Sequence, residues 1–550
     1  MIAAWPRTAH NSRFRVYVIL FVALCVPGIW VSLSLAQVAP PITSSGLNTQ
    51  VNLSSSPPIG KVQYDIAGGT RPGNGLNLFH SFGLFNVPIN NIANFLNETS
   101  LPTSNILSRV TGGNPSNIFG TLQTTGFGNA NLFLMNPAGI IFGPTASLNL
   151  GGSVSFTTAN YIRLFDGVNS TNFYANGASD GLASSVLSVS PLVNFGFLTP
   201  AAFGFLDSTP ASITVQGSAL SVPAGQSISL VGGNISIQAG TLEDGTVQPA
   251  QLSAPGGWIH LASVASPGEI LAGSLDQAPN ISGQSFGTFG MIQVSEQSVI
   301  DASGDGGGTV VIRGGHFLLD SSRISANTTG LALGSPGAGI DIQVSQDAVI
   351  QNGAILETNV LGNATPGVTY GGVHVKADRI EIPGILDFES GTFVFTTIQS
   401  NVAPGSTAGR SGDIKLEANS ILVKNLGQVQ TLTQGAGDAG NIILTTTNNL
   451  EIDSGFIQSG SSATNFQGGG NPGNIASGNA GNIELTSTRG NILMTNGSPV
   501  NTQTYVDSSG NAGNITVSAP RGDILLADFA GLFTAIRGTG GTGGSGQIQL

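Results

Sequence analysis

Cysteine is almost missing from this chain: Cys25 is the single one in 550 residues, and it lies in an apolar run near the N-terminus. A chain that loses that run has no disulfide to rely on, whatever the redox state of its compartment. Charge is nearly as scarce, at 8% of residues, and lysine occurs only at 61, 376, 415 and 424. Such a composition excludes the charged, disordered class. It also argues against an ordinary helical globule, which would use more Lys, Glu and Leu on its helix faces. Aromatics make up 7%, and long strands with an apolar lipid face and aromatic girdles are absent, which argues against an outer-membrane barrel.

What is present is glycine, 79 copies of it, with Asn, Ser and Thr alternating with Ile, Leu and Val. That pattern predicts many short strands joined by turns, an all-β chain. The N-terminus reads as an export signal over 1–36: Arg7, Arg13 and Arg15 precede the apolar run Val16–Val26, and Ser34-Leu35-Ala36 offers a small-x-small cleavage site. Pro27-Gly28 breaks the run too early for a membrane span, so a retained anchor is the weaker alternative. Leu24 before Cys25 speaks against a lipoprotein. Three of the 17 basic residues and none of the 29 acidic ones precede residue 37, so cleavage leaves 14 − 29 = −15. An acidic surface without basic clusters argues against nucleic acid and anionic membrane as partners.

Along the chain, Ile42–Leu53 alternates as a strand pair, and Ile92, Phe95 and Leu96 fall at helical spacing, which suggests a helical turn or extra-helical loop within 87–101. Period-two strands follow at 212–217, 226–231 and 234–238. Beyond 300 a unit Gly-x-(Ile/Val)-x-(Leu/Val/Ile) recurs: Gly412-Asp-Ile-Lys-Leu416, Gly440-Asn-Ile-Ile-Leu444, Gly481-Asn-Ile-Glu-Leu485, Gly513-Asn-Ile-Thr-Val517 and Gly546-Gln-Ile-Gln-Leu550, with looser copies at Gly308 and Gly372. Short strands repeated at such intervals predict a parallel β-solenoid, with loops inserted where the interval grows, as over 460–478. The last copy stops inside a strand with no polar capping repeat, so the repeat region is expected to be truncated at its C-terminus.

The most informative stretch is Asn131-Leu-Phe-Leu-Met-Asn-Pro-Ala-Gly-Ile-Ile-Phe-Gly143. Pro137 fixes φ and Gly139 tolerates positive φ, so the chain turns tightly and returns as Ile140-Ile141-Phe142. With Gly75–Phe82, Ile106–Pro115, Ala146–Gly152 and Phe156–Asn160 around it, this text resembles the filamentous-haemagglutinin N-terminal domain, the secretion (TPS) domain of two-partner-secretion exoproteins. Two departures stand out. Ala138 replaces Asn at the third place of the Asn-Pro-Asn-Gly-Ile turn, and the family's second Asn-Pro motif has only Asn86-Val87-Pro88-Ile89 near it. The resemblance implies a right-handed parallel β-helix with extra-helical hairpins or loops. It also implies a secretion domain over 37–290 and a β-helical adhesin-like passenger over 291–550. Its motif residues here are Asn136, Pro137, Gly139 and Ile140. The implied partners are a cognate outer-membrane transporter with POTRA domains and an unknown surface receptor or glycan. The implied place is secreted or at the surface of a bacterium with an outer membrane, reached through the periplasm.

Other chemistry is thin. Histidines at 10, 80, 260, 316 and 374 have no partner at metal-ligand spacing, and no cofactor or metal is expected. Gly304-Asp-Gly-Gly-Gly308 is a single Gly corner rather than a tandem calcium turn. Arg521-Gly522-Asp523 matches an integrin tripeptide, yet Gly522-Asp523-Ile524-Leu525-Leu526 aligns with Gly412-Asp413-Ile414-Lys415-Leu416, so coil geometry explains it. The rival reading is a secreted β-helix polysaccharide-degrading enzyme, which would cluster carboxylates with Arg or Lys on one face. The acids are dispersed in sequence, so no enzyme is expected.

Overall fold

The path of the chain through its motif shows the principle of the fold. Asn131–Met135 is a strand of one sheet, Ile140–Phe142 of a second, Ser147–Asn149 of a third, and Val154–Thr157 returns to the first sheet beside Asn131–Met135, parallel and in register. In this computed structural model the described residues are 40–175, 196–272, 275–281, 286–330, 339–362, 365, 367–406, 409–462, 478–505, 508–536 and 543–550. The expected export signal, Cys25 and most of the 460–478 insertion fall outside them. Among the described residues, sheets one and three hold 15 strands each and sheet two holds 12. The product, among the described residues, is a parallel β-helix, and Pro41–Leu550 forms one compact unit.

Alternation explains why these segments are strands. Ile340–Val344 and Ile442–Thr446 bury every second residue, and Gly427–Thr433 does so over seven positions. The buried members stack from coil to coil: Ile414, Ile442, Ile483 and Ile515 form one column on sheet one, and Leu416, Leu444, Leu485 and Val517 the next. Each such side chain gains about 1.5–3 kcal/mol by leaving water. Neighbouring coils are joined by the backbone hydrogen bonds of the parallel ladders. The N-terminal coils use bulkier fillers in the same core, among them Phe82, Phe85, Phe95, Phe142 and Phe156.

The predicted strand pair at 42–53 is two strands, Ile42–Gly46 and Thr49–Leu53, but they do not pair with each other. They lie antiparallel on Asn77–Phe85 of sheet one and Val62–Gly68 of sheet three. They cover the first edges of both sheets, a capping device for a stack whose other pairings are parallel. The helical turn expected within 87–101 is instead the strand Asn91–Leu96, paired on both sides. Ala93 and Phe95 point into the core while Asn94 donates to Asp65 Oδ1 at 2.8 Å. The inward pair includes an alanine, so the period of two was hidden behind the spacing of Ile92 and Phe95.

Excursions from the coils form the expected extra-helical parts. Tyr161–Phe165, Ser170–Tyr174, Thr199–Phe205 and Gly268–Leu271 make a four-stranded antiparallel sheet. It packs Ile162, Leu164, Phe173 and Phe203 over Phe79, Leu107, Phe133 and Met135, which face outward from sheet one. Two short hairpins, Gly240–Thr241 with Val247–Gln248 and Ile385–Asp387 with Thr392–Val394, leave the coils further on.

Candidate functional site

The Asn136–Ile140 segment is a corner between sheets one and two, not a hairpin. The strands on either side pair with neighbouring coils and not with each other, which corrects the expected return of the chain. Gly139 N–H donates to the Asn136 carbonyl at 3.0 Å, closing a β-turn with Pro137 at its second place. Gly139 has φ of 117°, where a side chain would strain the backbone. Asn136 is 1% exposed, and its amide is fully used. Nδ2 donates to the Asn114 carbonyl at 3.0 Å and to Ser116 Oγ at 2.9 Å, while Oδ1 accepts the Ala138 N–H at 3.0 Å. Ile140 is fully buried between Ser116 and Ile213. Only Pro137 and Ala138 are partly exposed at the outer corner.

The flanking motifs meet this turn in space. Strand Ser116–Ile118, beneath Ile140–Phe142 on sheet two, is capped by Val87, whose N–H donates to the Asn117 carbonyl at 2.9 Å and whose carbonyl accepts from Phe119 at 2.7 Å. Asn86 Oδ1 accepts the Asn117 N–H at 2.9 Å. Asn86–Ile89 therefore closes the first edge of sheet two, one strand away from the Asn136 turn. On sheet one Asn77, Asn105 and Asn131 stack, each Nδ2 donating to the Oδ1 below it at 2.9 and 3.2 Å. Asn77 in turn donates to the Leu198 carbonyl at 2.7 Å, tying the ladder to the segment that carries the extra sheet. The two Asn-Leu-Phe texts, 77–79 and 131–133, are rungs of one wall.

The family model described as the TPS secretion domain matches residues 42–312. The chain carries a TPS secretion domain. Among solved structures, the HMW1 secretion domain from Haemophilus influenzae is similar at 14% identity with a TM-score of 0.46, over 92% of this chain and 100% of that one. The filamentous hemagglutinin secretion domain is similar at 14% identity with a TM-score of 0.23, over the same shares. No curated protein sequence matches.

Three buried residues of the TPS secretion domain have surroundings that the sequence did not disclose. Arg109 is 6% exposed. Its Nε–H donates to Ser81 Oγ at 3.0 Å and its Nη1–H to the Tyr174 carbonyl at 2.8 Å, and the guanidinium lies 5.3 Å from the Phe173 ring centre. It fastens the extra sheet to sheet one, and burial draws its pKa down to about 10. His80, 1% exposed, sits between Phe82 and Phe95 with Thr49 Oγ1 at 3.3 Å from Nδ1. Burial, with Arg71 nearby, pushes it down to about 3. His260 on the same sheet is pushed down to about 4 by burial and then by Arg313.

Past the TPS secretion domain, stacking gathers charges that are far apart in sequence. Arg313, Asp341, His374, Glu417 and Lys415 form a ladder on the outer side of sheet one, with His374 Nδ1 3.1 Å from Asp341 Oδ1 and Nε2 3.9 Å from Glu417. Acids dispersed in the sequence thus meet across stacked coils, and His374, which has no partner at metal-ligand spacing, lies beside carboxylates of the coils on either side. Burial raises the Asp341 pKa, but His374 and Arg313 outweigh it and hold the carboxyl at about 2, far from the range a general acid needs. Among the described residues no cluster of three or more His, Cys, Asp or Glu is shaped to hold a metal, and no helix is long and apolar enough to cross a membrane. Asp523 N–H donates to Asn491 Oδ1 at 2.9 Å, and Ile524–Leu526 pairs with Ile492–Thr495 on sheet two. The tripeptide is a corner, as expected, but on a different row from Gly412, whose strand belongs to sheet one.

Proposed function

We propose that this chain is an exoprotein of a two-partner system, directed to the periplasm by the signal at 1–36. Its secretion domain, 37–290, is recognised there by the POTRA domains of a cognate outer-membrane transporter, and the β-helical repeats of 291–550 act outside the cell in adhesion or surface structure. The match of 42–312 to the TPS secretion domain family carries this reading. Within it, Asn136, Pro137, Gly139 and Ile140 serve in two ways. Asn136, Gly139 and Ile140 shape the corner from inside, since all three are buried, and Pro137 with Ala138 offers the outer surface. Coil-by-coil stacking supplies direction to export, because each emerging coil buries its apolar column only on the one already outside.

The experiment is binding of purified POTRA domains to the purified full chain and to single variants. Pro137→Ala is expected to weaken binding with little change in unfolding midpoint, whereas Asn136→Ala is expected to lower both. Equal binding by all three proteins would leave the corner with a purely architectural role.

A further inference from the structure

The outer side of sheet three, from Ile355 to Phe533, is hollowed into an open cleft of about 790 Å³. Its lining contains no charged side chain; it is built of Gln, Asn and Thr with Phe395, Phe456, Tyr505 and Phe533. Along its floor runs a row of amides on successive coils, Gln399, Gln430, Gln458 and Asn501. The row begins as a ladder: Gln399 Nε2 donates to Glu357 Oε2 at 2.9 Å, and Gln430 Nε2 to Gln399 Oε1 at 2.8 Å. It then stops. Gln458 and Asn501 are 4% and 7% exposed, yet Gln458 Nε2 and Asn501 Oδ1 have no hydrogen-bond partner.

The neighbouring row carries no side chain at the same level, and Leu432 closes over that position. Gly460 stands between Leu432 and Gln503, where a Cβ would press on both at 3.1 Å. On the other side of the amides Phe456 lies outward, its ring centre 5.9 Å from that of Phe395. The cleft therefore presents a row of amides that ends in a buried donor and a buried acceptor without partners, with aromatic faces alongside. Unpaired buried amides are costly unless a ligand completes them.

We propose that this cleft binds a neutral oligosaccharide. Sugar hydroxyls both donate and accept, which suits the orphaned amide pair, and the apolar faces of sugar rings suit flat aromatic side chains. An anionic glycan or nucleic acid finds no Lys or Arg in the lining, on a chain of net charge −12. A peptide strand would pair with an open sheet edge, whereas here the backbone groups of the floor are already engaged in the parallel ladders. The proposal rests on the reading that residues 291–550 are exposed outside the cell, and it gives that passenger a ligand class.

The test is calorimetric titration of the purified full chain with hexamers of glucose, mannose, galactose and N-acetylglucosamine, beside heparin and an uncharged peptide. One or more neutral hexamers are expected to bind. Gln458→Ala is expected to weaken that binding by about tenfold, the loss of one well-placed hydrogen bond, and Gly460→Leu to abolish it by pushing Leu432 and Tyr505 into the cleft. Because Gly460→Leu presses on Leu432 and Gln503, Phe533→Ala, at a ring 41% exposed, is the companion variant that weakens binding without a shift in unfolding midpoint. Lack of binding by every neutral hexamer, binding confined to heparin or peptide, or equal binding by Gln458→Ala and Phe533→Ala would overturn the proposal. No transporter enters the measurement, so its failure would leave the export reading standing, and failed export would not touch it.

Discussion

Asn136 shows how a motif residue in this fold can be conspicuous and yet hidden. Its side-chain amide makes three hydrogen bonds inside the corner, so Asn136→Ala leaves the Asn114 carbonyl and the Ala138 N–H wanting partners. That loss is expected to cost about 1–3 kcal/mol, readable as a lower denaturant midpoint of the full chain. The buried imidazoles set a second expectation. His80 and His260 stay neutral in the fold down to about 3 and about 4, while in the unfolded chain they protonate near 6.5. Between those values the unfolded chain binds more protons, so stability is complete above about 6.5 and drains away as pH falls toward 4. Thermal unfolding should show a lower midpoint at pH 5 than at pH 7.5, with the difference reduced in His260→Gln; a midpoint independent of pH across that interval would contradict the burial argument. The turn chemistry of Pro137 and Gly139 was legible in the sequence because φ preferences are local. That the turn joins two sheets rather than a hairpin was not, since only the strands of adjacent coils decide it.

At the scale of the strand and the corner, the repeat copies at 412, 440, 481, 513 and 546 all open strands of sheet one. The spacing carried that much. A second row was equally written and passed over: Gly437, Gly478, Gly510 and Gly543 stand three residues before Gly440, Gly481, Gly513 and Gly546. Each glycine of both rows lies so close under the next that a Cβ would run into the carbonyl oxygen of the coil before it. Between them, side-chain oxygens accept backbone N–H groups of the following coil. Asp438 and Asn479 do so in one column, and Asp413, Asn441 and Asn482 in the other. Gly481→Ala is thus expected to destabilise the repeats by more than the ~1 kcal/mol swing of an ordinary Gly–Ala exchange, whereas Gly497→Ala, with open space around its Cβ site, should pay only for its positive φ. Core columns obey the usual cavity rule, and Ile442→Ala should cost about 2–5 kcal/mol. Limited proteolysis of the variants, followed coil by coil, would show whether the loss stays local as a stacked repeat requires.

For the whole molecule, the sequence conveyed the all-β class and the solenoid, since alternation and glycine corners are printed in every coil. It did not convey the four-stranded sheet laid over Phe79, Leu107, Phe133 and Met135, because outward apolar residues on a strand look like core from either side. Nor did it show the charge ladder from Arg313 to Lys415, whose members come together only through stacking. The proposed two-partner export would have a physical basis in this architecture: a chain of 550 residues with one cysteine has no internal disulfide to hold it folded in a pore, and coils that stack on their neighbours would rebuild rung by rung. The most direct measurement is export of the full chain in a two-membrane host with and without its cognate barrel transporter, assaying periplasm, surface and medium. The account predicts folded, protease-resistant protein at the surface or in the medium only when the transporter is present. Equal appearance outside the cell in its absence would contradict it.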